Sequence, residues 1–558
     1  MKLSIASLIA ETLKRLGVEL IFGIIGTSVV DFFDTLYDKP ELKVVTVRHE
    51  QVAVSAADAV YRTSRRLAAS VVHAGPGFLN GLIGLGISSK DRIPLIMISG
   101  GVRRRLRGSD AWLEVNQKSI SDGLVKGYAL IDRPDEAPEM LHNTLESILE
   151  PPLGPIVIEV SEDLWKSEVN VDKSYFSNIA SRPKEGEVER EGVKDAIDLL
   201  KTSERPLILA SGELAYSPLF KQEELMALAE KVGAYIVTSG NGRGACAEDN
   251  PRCLGRVGFG GGTPPADKAL ARCDALVVFG NEFDDTSTYA YTNMPEGDIM
   301  VFSMDPSVEK RPAYYDTIKG DPVKALKEMN AKLENKTTSK DEWDSLIASW
   351  RNEWNLALKS SIEKRGKTVN PSMFFYKLNK ALDRERIITA GQGTHIIYAY
   401  DFLKVYAPGT FLASTNLGAM GYALPSALGA SQARPDKNII SVVGDGEVMM
   451  VVQDLETIRR TNANVKVIVV NDNSYRVLYL RQVLQKGGRV FQTLLGNPDF
   501  KMLGESMGIK AISLSNNDEV DKALELIKER GPALIELIID RDEIPPLNME
   551  FTLKMSSV

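Results

Sequence analysis

Two carboxylates separated by one helix are the residues most able to do chemistry. Asp445 stands in Gly444-Asp445-Gly446, directly after the uncharged run Ile439 to Val443. Asp472 stands in Asn471-Asp472-Asn473-Ser474, directly after Val465 to Val470. A pair of carboxylates with hydroxyl and main-chain oxygens beside them suits a hard divalent cation such as Mg²⁺, which is usually held by one or two carboxylates plus phosphate oxygens. The glycines flanking Asp445 let a ligand come close to the backbone, and the amides opening the next helix favour an anion. The stretch therefore reads as a metal-bridged diphosphate site. Gly-Asp-Gly alone is also compatible with a plain turn in which Asp445 caps a helix; the second polar cluster tips the reading toward chemistry. Two further groups matter. Glu50, in Arg48-His49-Glu50-Gln51, opens a helix after a strand. His73 is one of only four histidines, with His49, His142 and His395, so few imidazoles are available for proton transfer near neutral pH.

The elements around these residues must bring them to one edge. Between the two aspartates, Met449, Val452, Leu455 and Ile458 recur at helical spacing, with Asp454, Glu456, Arg459 and Arg460 on the other side. Strand, helix and strand of these lengths predict a right-handed βαβ unit. Its parallel strands deliver both clusters to their carboxyl ends, where open α/β sheets bind ligands. The same alternation runs through residues 1–165: Ile21 to Ser28 is a strand entering a glycine turn, followed by a helix through Tyr37. Further strands are expected at Lys43 to Val47, Ala68 to Val72, Pro94 to Ser99 and Pro155 to Val160. The strand at Ala68 runs into His73-Ala74-Gly75-Pro76-Gly77-Phe78-Leu79-Asn80. Polar residues 166–190, with Ser181-Arg182-Pro183, read as a linker. A second unit, 191–335, has strands at Pro206 to Ala210, Tyr235 to Ser239, Ala275 to Gly280 and Ile299 to Met304. A helical stretch over 336–367 leads to a third unit, 368–558, ending in a strand at Pro532 to Ile539. The fold class is α/β, as three doubly wound parallel-sheet domains.

Gly-Asp-Gly followed by a helix, a strand and an Asn-rich end resembles the thiamine-diphosphate fingerprint of the acetohydroxyacid synthase and benzoylformate decarboxylase superfamily, and the resemblance covers nearly the whole chain. It implies a pyrimidine-binding domain at 1–165, a Rossmann-like central domain at 191–335 and a diphosphate-binding domain at 368–558. It also implies thiamine diphosphate as cofactor, with Mg²⁺ held by Asp445, Asp472 and the main chain at Ser474. Cofactor contacts are implied at Gly444, Gly446, Glu447 and Tyr475, at Gly391-Gln392, and at Gly418 and Met420 of Leu417-Gly418-Ala419-Met420-Gly421. Gly75 and Asn80 lie in a turn similar to the family's Gly-Pro-Gly…Asn. Glu50 matches the family's glutamate, whose hydrogen bond to the aminopyrimidine promotes loss of the thiazolium C2 proton; such proton sharing needs a low-dielectric setting. His73 lies where benzoylformate decarboxylase carries a catalytic histidine, and Thr27 where that enzyme has a serine on the substrate carboxylate. Two residues depart from the pattern: Asp472 replaces an asparagine and Glu447 a serine, both adding negative charge.

The resemblance further implies an enzyme that decarboxylates a 2-oxo acid and releases the product or joins it to an acceptor carbonyl. Such enzymes build each active site from the first domain of one subunit and the third of another, so a homodimer or dimer of dimers is implied; a separate regulatory subunit is left open. Gly258-Phe259-Gly260-Gly261-Gly262 and Phe283-Asp284-Asp285 are similar to a central domain that carries FAD in the synthases and ADP, or nothing, in relatives. Leu113 and Arg481 depart from the synthase pattern, which has Gln and Trp there. Residues 71–99 also resemble oxalyl-CoA decarboxylase, and Arg103, Arg104, Arg105 and Arg107 offer charge to CoA phosphates, or a solvated basic run. A 2-hydroxyacyl-CoA lyase is thus the alternative enzyme, and a non-catalytic subunit that keeps the fold the alternative outside catalysis.

Composition bounds these readings. At 558 residues the chain exceeds one core. Its 44% apolar and 25% charged content is that of a globular protein, and a formal charge of −8 argues against general nucleic-acid binding. The N-terminus reads as an amphipathic helix rather than a signal peptide, because Glu11, Lys14 and Arg15 interrupt its apolar residues. The uncharged stretch from Val71 to Ser89 carries five glycines and a proline, unlike a membrane span. Cys246, Cys253 and Cys273 lack CxxC spacing, so neither a zinc site nor a disulfide framework follows, and a reducing cytoplasm is the expected home.

Overall fold

A computed structural model describes residues 1–172, 174–177, 179, 185–312, 315–334 and 338–546. Ser181-Arg182-Pro183 lie outside the described residues. The inner strands are short runs rich in Val, Ile, Leu and Ala, buried on both faces, the signature of parallel sheets covered by helices on each side, while edge strands such as Lys43–Thr46 and Asp316–Lys319 carry exposed polar residues. They assemble into three sheets of six parallel strands, so the expected fold class is what the chain adopts.

In the first sheet the spatial order is Lys43–Thr46, Leu20–Gly23, Ala69–Val72, Ile96–Gly101, Ile156–Ser161 and Gly127–Ile131. The central sheet runs Cys253–Arg256, Tyr235–Thr238, Pro206–Ala210, Ala275–Phe279, Asp298–Ser303 and Asp316–Lys319. The third runs Phe411–Leu412, Ile387–Ala390, Ile439–Gly444, Val465–Asn471, Ala533–Ile538 and Lys510–Leu514. The central sheet reverses strand order at its middle, and the first and third do so between their second and third strands; such switch points are where these sheets open a ligand crevice. Ahead of the first sheet, the amphipathic stretch near the N-terminus forms a helix over Ile5–Arg15, its apolar face buried. Within the expected linker, Glu168–Asn170 forms a two-stranded antiparallel ribbon with Lys2–Ser4.

The chain forms two compact units. The first holds residues 1–184, 416–436 and 451–463; the second holds 185–415, 437–450 and the chain from 464. In the first, the helix Glu50–Ser64 packs on the helix Ala423–Ala433. A Cβ added at Gly429 would overlap the Ala56 carbonyl oxygen, so this contact is backbone against backbone and tolerates no larger residue. A buried ion network ties the same unit. Arg62 Nε donates to Asp58 at 2.6 Å and its Nη2 to Asp91 at 2.8 Å, with all three side chains shielded from solvent. Asp58 also accepts from Ser88 and Tyr422, and Asp91 accepts from the Asn416 amide.

One expectation is corrected, and one cysteine pairing is added that the sequence did not indicate. The helix read from Met449 to Ile458 is broken into Asp445–Val448, a 3₁₀ turn Val452–Asp454 and Leu455–Arg460. Val451 leaves helical backbone (φ −138°, ψ 19°) and is buried, while Met449 and Met450 are exposed; burial of Val451 overrides the apolar period. The Sγ atoms of Cys246 and Cys253 are bonded to each other, seven residues apart in one loop, and Cys273 is free and buried. Spacing alone could not show that the loop closes on itself. Among the described residues no helix is long and apolar enough to cross a membrane.

Candidate active site

Three turns at the carboxyl edge of the first sheet carry its functional side chains. Glu50 begins its helix behind His49, whose Nδ1 accepts the Gln51 amide and so caps the first turn. The turn is anchored from behind, because Asp454 accepts the Arg48 amide at 2.9 Å. Glu50 is 8% exposed. Asn80 Nδ2 donates to its Oε2 at 2.9 Å, while Oε1 faces the bare Cα of Gly77, where a Cβ would lie 3.1 Å away. One carboxylate oxygen is thus fixed and the other turned toward a surface made of glycine. Asn80 and Gly77 sit on the helix Pro76–Lys90, whose first turn is entered through Gly75 at φ +65°. A side chain at Gly75 would collide with the Leu113 carbonyl, 2.6 Å from the Cβ position.

His73 ends the strand Ala69–Val72, and Ser28 lies beyond the neighbouring strand Leu20–Gly23. Ser28 Oγ is 2.7 Å from His73 Nδ1. Thr27, the residue matched from sequence, is exposed on the same 3₁₀ turn, and it is Ser28 that bonds the imidazole. Half-burial pushes the His73 imidazole below its usual range, against the pull of the Glu50 and Glu162 carboxylates. The segment with Gly418 and Met420 belongs to the first unit. Gln51 Nε2 reaches the Gly421 carbonyl at 3.4 Å; Gly418 is exposed at φ +68° and Met420 half-buried.

In the second unit, Ile439–Gly444 and Val465–Asn471 pair in parallel, with Gly444 opposite Val470, so Asp445 and Asp472 leave adjacent strand ends. Burial, then the nearby charge of Asp472, raises the Asp445 carboxyl to about 6; burial also raises Asp472. Two buried carboxylates that repel each other are the donor set a divalent cation relieves, so the residues fit Mg²⁺. Among the described residues no group of three or more His, Cys, Asp or Glu gathers as a metal site, here or elsewhere, so this pair would need main-chain, hydroxyl or ligand oxygens to complete a shell. Asn497, which no spacing in the sequence marked, binds the cluster together. Its Nδ2 lies 2.6 Å from Asp445 Oδ2, 3.0 Å from Asn471 Oδ1 and 3.1 Å from Asn473 Oδ1. Ser474 Oγ donates to Asp472.

The two departures from the family pattern find partners here. The Arg476 guanidinium lies 3.7 Å from Asp472, and Arg541 donates to the Asp472 carbonyl, so the extra charge is offset locally. Glu447 is buried and lies 3.3 Å from His395 Nε2. It crosses the bare Cα of Gly391, where a Cβ would overlap its carboxylate. Gln392 is turned onto the Ser414 carbonyl, and Tyr475 packs over Gly446.

The other expected contacts fall elsewhere. Arg103, Arg104 and Arg107 pair with Glu162, Asp163 and Glu159, and Arg105 is exposed. Arg481 donates to Gln485 on its own helix. In the central sheet, Glu282 accepts from the Gly212 amide, Ser239 and Asn241, and Asp284 accepts from the Ser287 amide. The turn amide that would meet a nucleotide phosphate at Gly212 is therefore committed to a buried carboxylate.

Parallel sheets with a buried acid at one edge and paired aspartates at another define an α/β protein suited to a metal-bound diphosphate. Comparison with known proteins narrows this. The thiamine pyrophosphate enzyme N-terminal TPP binding domain matches residues 3–121, the central domain 193–329 and the C-terminal TPP binding domain 391–537. The chain is 31% identical to a probable acetolactate synthase large subunit of Methanocaldococcus jannaschii, over 97% of this chain and 93% of that one. It is 29% identical to the acetolactate synthase large subunit of Corynebacterium glutamicum, over 96% and 87%. Against the acetolactate synthase catalytic subunit, mitochondrial, of Saccharomyces cerevisiae the figure is 26%, over 97% and 81%. The chain belongs to the acetolactate synthase-like thiamine pyrophosphate enzyme family.

Proposed function

We propose that this protein is a thiamine-diphosphate- and Mg²⁺-dependent enzyme that decarboxylates a 2-oxo acid and releases the product or ligates it to an acceptor. The observation that carries the proposal is Glu50: a shielded carboxylate with one oxygen held by Asn80 and the other against the bare Cα of Gly77. Thiamine diphosphate, when bound, supplies the nucleophile for the 2-oxo carbonyl and the electron sink for loss of CO₂. Asp445, Asp472 and the main chain at Ser474 would hold the metal. Gly391, Gln392, Gly444, Gly446 and Tyr475 would face the diphosphate, and Gly75, Gly418 and Met420 the pyrimidine half. Glu50, 8% exposed, would share a proton with the pyrimidine, and its burial would strengthen that sharing. His73 carries protons at the substrate, and Thr27, exposed on its turn, would meet a substrate carboxylate.

Support for a 2-oxo acid over an acyl-CoA comes from the arginine run, three of whose members are paired with acids of their own domain. Against a non-catalytic role stands the presence together of Glu50 with Asn80 and of Asp445 with Asn497, contacts a binding scaffold has no need of. Glu282 argues against FAD or ADP in the central domain, and the proposed reaction assigns that domain no redox step. We further propose self-association as a homodimer or dimer of dimers in the cytoplasm. Val477, Leu478, Leu484 and Phe491, apolar and exposed, give the chain surface for it. A panel of pyruvate, phenylglyoxylate and acyl-CoA substrates, with CO₂, aldehyde and acetoin-type products measured, tests the reading. Turnover of acyl-CoA alone would move it to the lyase class.

A further inference from the structure

The turn after Leu20–Gly23 holds a side chain that the family resemblance does not assign. Ser28 is 2% exposed and fixed on three sides. Its carbonyl accepts the buried Trp165 indole N–H at 2.7 Å, its Oγ accepts the Ala74 amide at 2.9 Å, and that Oγ lies 2.7 Å from His73 Nδ1. Surrounding glycines make the room: a Cβ at Gly100 would overlap Ser28 Oγ, and one at Gly26 would be 2.6 Å from the His73 ring.

The direction of these bonds determines where the histidine proton sits. The Ala74 amide can only donate, so it takes one of the two lone pairs of Ser28 Oγ, and the Ser28 amide, which donates to Nδ1 at 3.4 Å, makes that nitrogen the acceptor of the Ser28 hydroxyl proton. Two donors converging on one ring nitrogen require that nitrogen to be an acceptor. We propose that Ser28 is a positioning residue that holds His73 in its neutral Nε2–H tautomer, so that the proton His73 presents to the 2-oxo substrate is on Nε2. In the resting enzyme His73 is then a hydrogen-bond donor and proton source, and becomes a base only after giving that proton up. Burial favours the neutral ring; the carboxylates of Glu50 and Glu162 are the charges that oppose it. The substrate half of this inference rests on the proposed function, whereas the tautomer does not.

The test uses full-length protein labelled with ¹⁵N-histidine, in which only four side chains report. Long-range ¹H–¹⁵N spectra at pH 8, assigned with His73→Gln, need neither cofactor nor substrate. The expected spectrum has Nδ1 of His73 in the acceptor range and Nε2 protonated. Ser28→Ala, which leaves the Trp165 bond to the carbonyl in place, converts this signal to a tautomer mixture, and Ser28→Thr restores it. With thiamine diphosphate and Mg²⁺, Ser28→Ala lowers kcat on a turned-over 2-oxo acid by roughly 10-fold, a fraction of what general acid–base groups supply, without changing cofactor affinity. A wild-type His73 protonated at Nδ1, or a Ser28→Ala spectrum identical to wild type, overturns the proposal. Absence of turnover on any 2-oxo acid with the tautomer result intact refutes the proposed function and leaves the positioning of His73 standing.

Discussion

Asp454 makes the stability of the fold depend on pH, with a definite sign. It sits where the helix after the Gly-Asp-Gly turn breaks, is 1% exposed, and its Oδ1 accepts both the Arg48 amide at 2.9 Å and the Thr457 hydroxyl at 2.7 Å. Its Oδ2 is buried with no hydrogen-bond partner among the described residues. Burial raises the carboxyl from 3.8 to about 6. A carboxyl whose folded-state value lies above its unfolded value destabilises the fold once it ionises, so this cost appears as pH rises from about 4 to about 6 and is complete above that. That displacement corresponds to about 3 kcal/mol at pH 8, and about half of that at pH 5. Asp454→Asn removes the charge and keeps the Oδ1 acceptor for Arg48 and Thr457, but places an unpaired amide group at Oδ2, costing about 1 kcal/mol. The variant is therefore expected to be about 2 kcal/mol more stable than wild type at pH 8, near equal between pH 4 and 5, and weaker below. Urea denaturation of both proteins, monitored by circular dichroism from pH 4 to 8, measures the crossing. Parallel stability curves, or a variant weaker than wild type at pH 8, would refute the reasoning.

Three further outcomes are expected at and around the site. Glu50→Gln lowers turnover by at least about 100-fold while leaving thiamine diphosphate binding measurable by calorimetry; unchanged turnover would sink the proposed role. Arg62→Met strands Asp58 and Asp91 without their shared cation, and its stability loss in chemical denaturation should be about 3–5 kcal/mol. Glu447→Ser removes a buried charge from the Gly391 turn and should tighten diphosphate binding by about tenfold, or about 1.4 kcal/mol, visible as a lower Kd for thiamine diphosphate at fixed Mg²⁺.

How much of the fold and the site was legible in the sequence depended on locality. The inner parallel strands were visible because they are buried runs of Val, Ile, Leu and Ala, whereas the edge strands Gly127–Ile131, Cys253–Arg256, Asp316–Lys319, Phe411–Leu412 and Lys510–Leu514 were not read, because an edge strand is covered less and carries a weaker apolar run. Asp445 and Asp472 were visible because one crossover joins them. Asn497 was not, because a lone asparagine in a loop has no spacing signature, although it touches Asp445, Asn471 and Asn473. Ser28 was hidden by its neighbour: only the turn geometry decides which of two adjacent hydroxyls faces His73. The helix after Asp445 was overread because the apolar period gave no warning that Val451 would be buried in non-helical backbone. The arginine run lost its phosphate-binding look once Glu159, Glu162 and Asp163, more than fifty residues later, folded back beside it.

The most direct measurement is a calorimetric titration of thiamine diphosphate into purified full-length protein, with and without Mg²⁺, for wild type and Asp445→Ala. Saturable binding near one molecule per chain that needs Mg²⁺ and vanishes in the variant is the predicted result. Failure of the wild-type protein to bind thiamine diphosphate with Mg²⁺ present, or equal binding by Asp445→Ala, would contradict it.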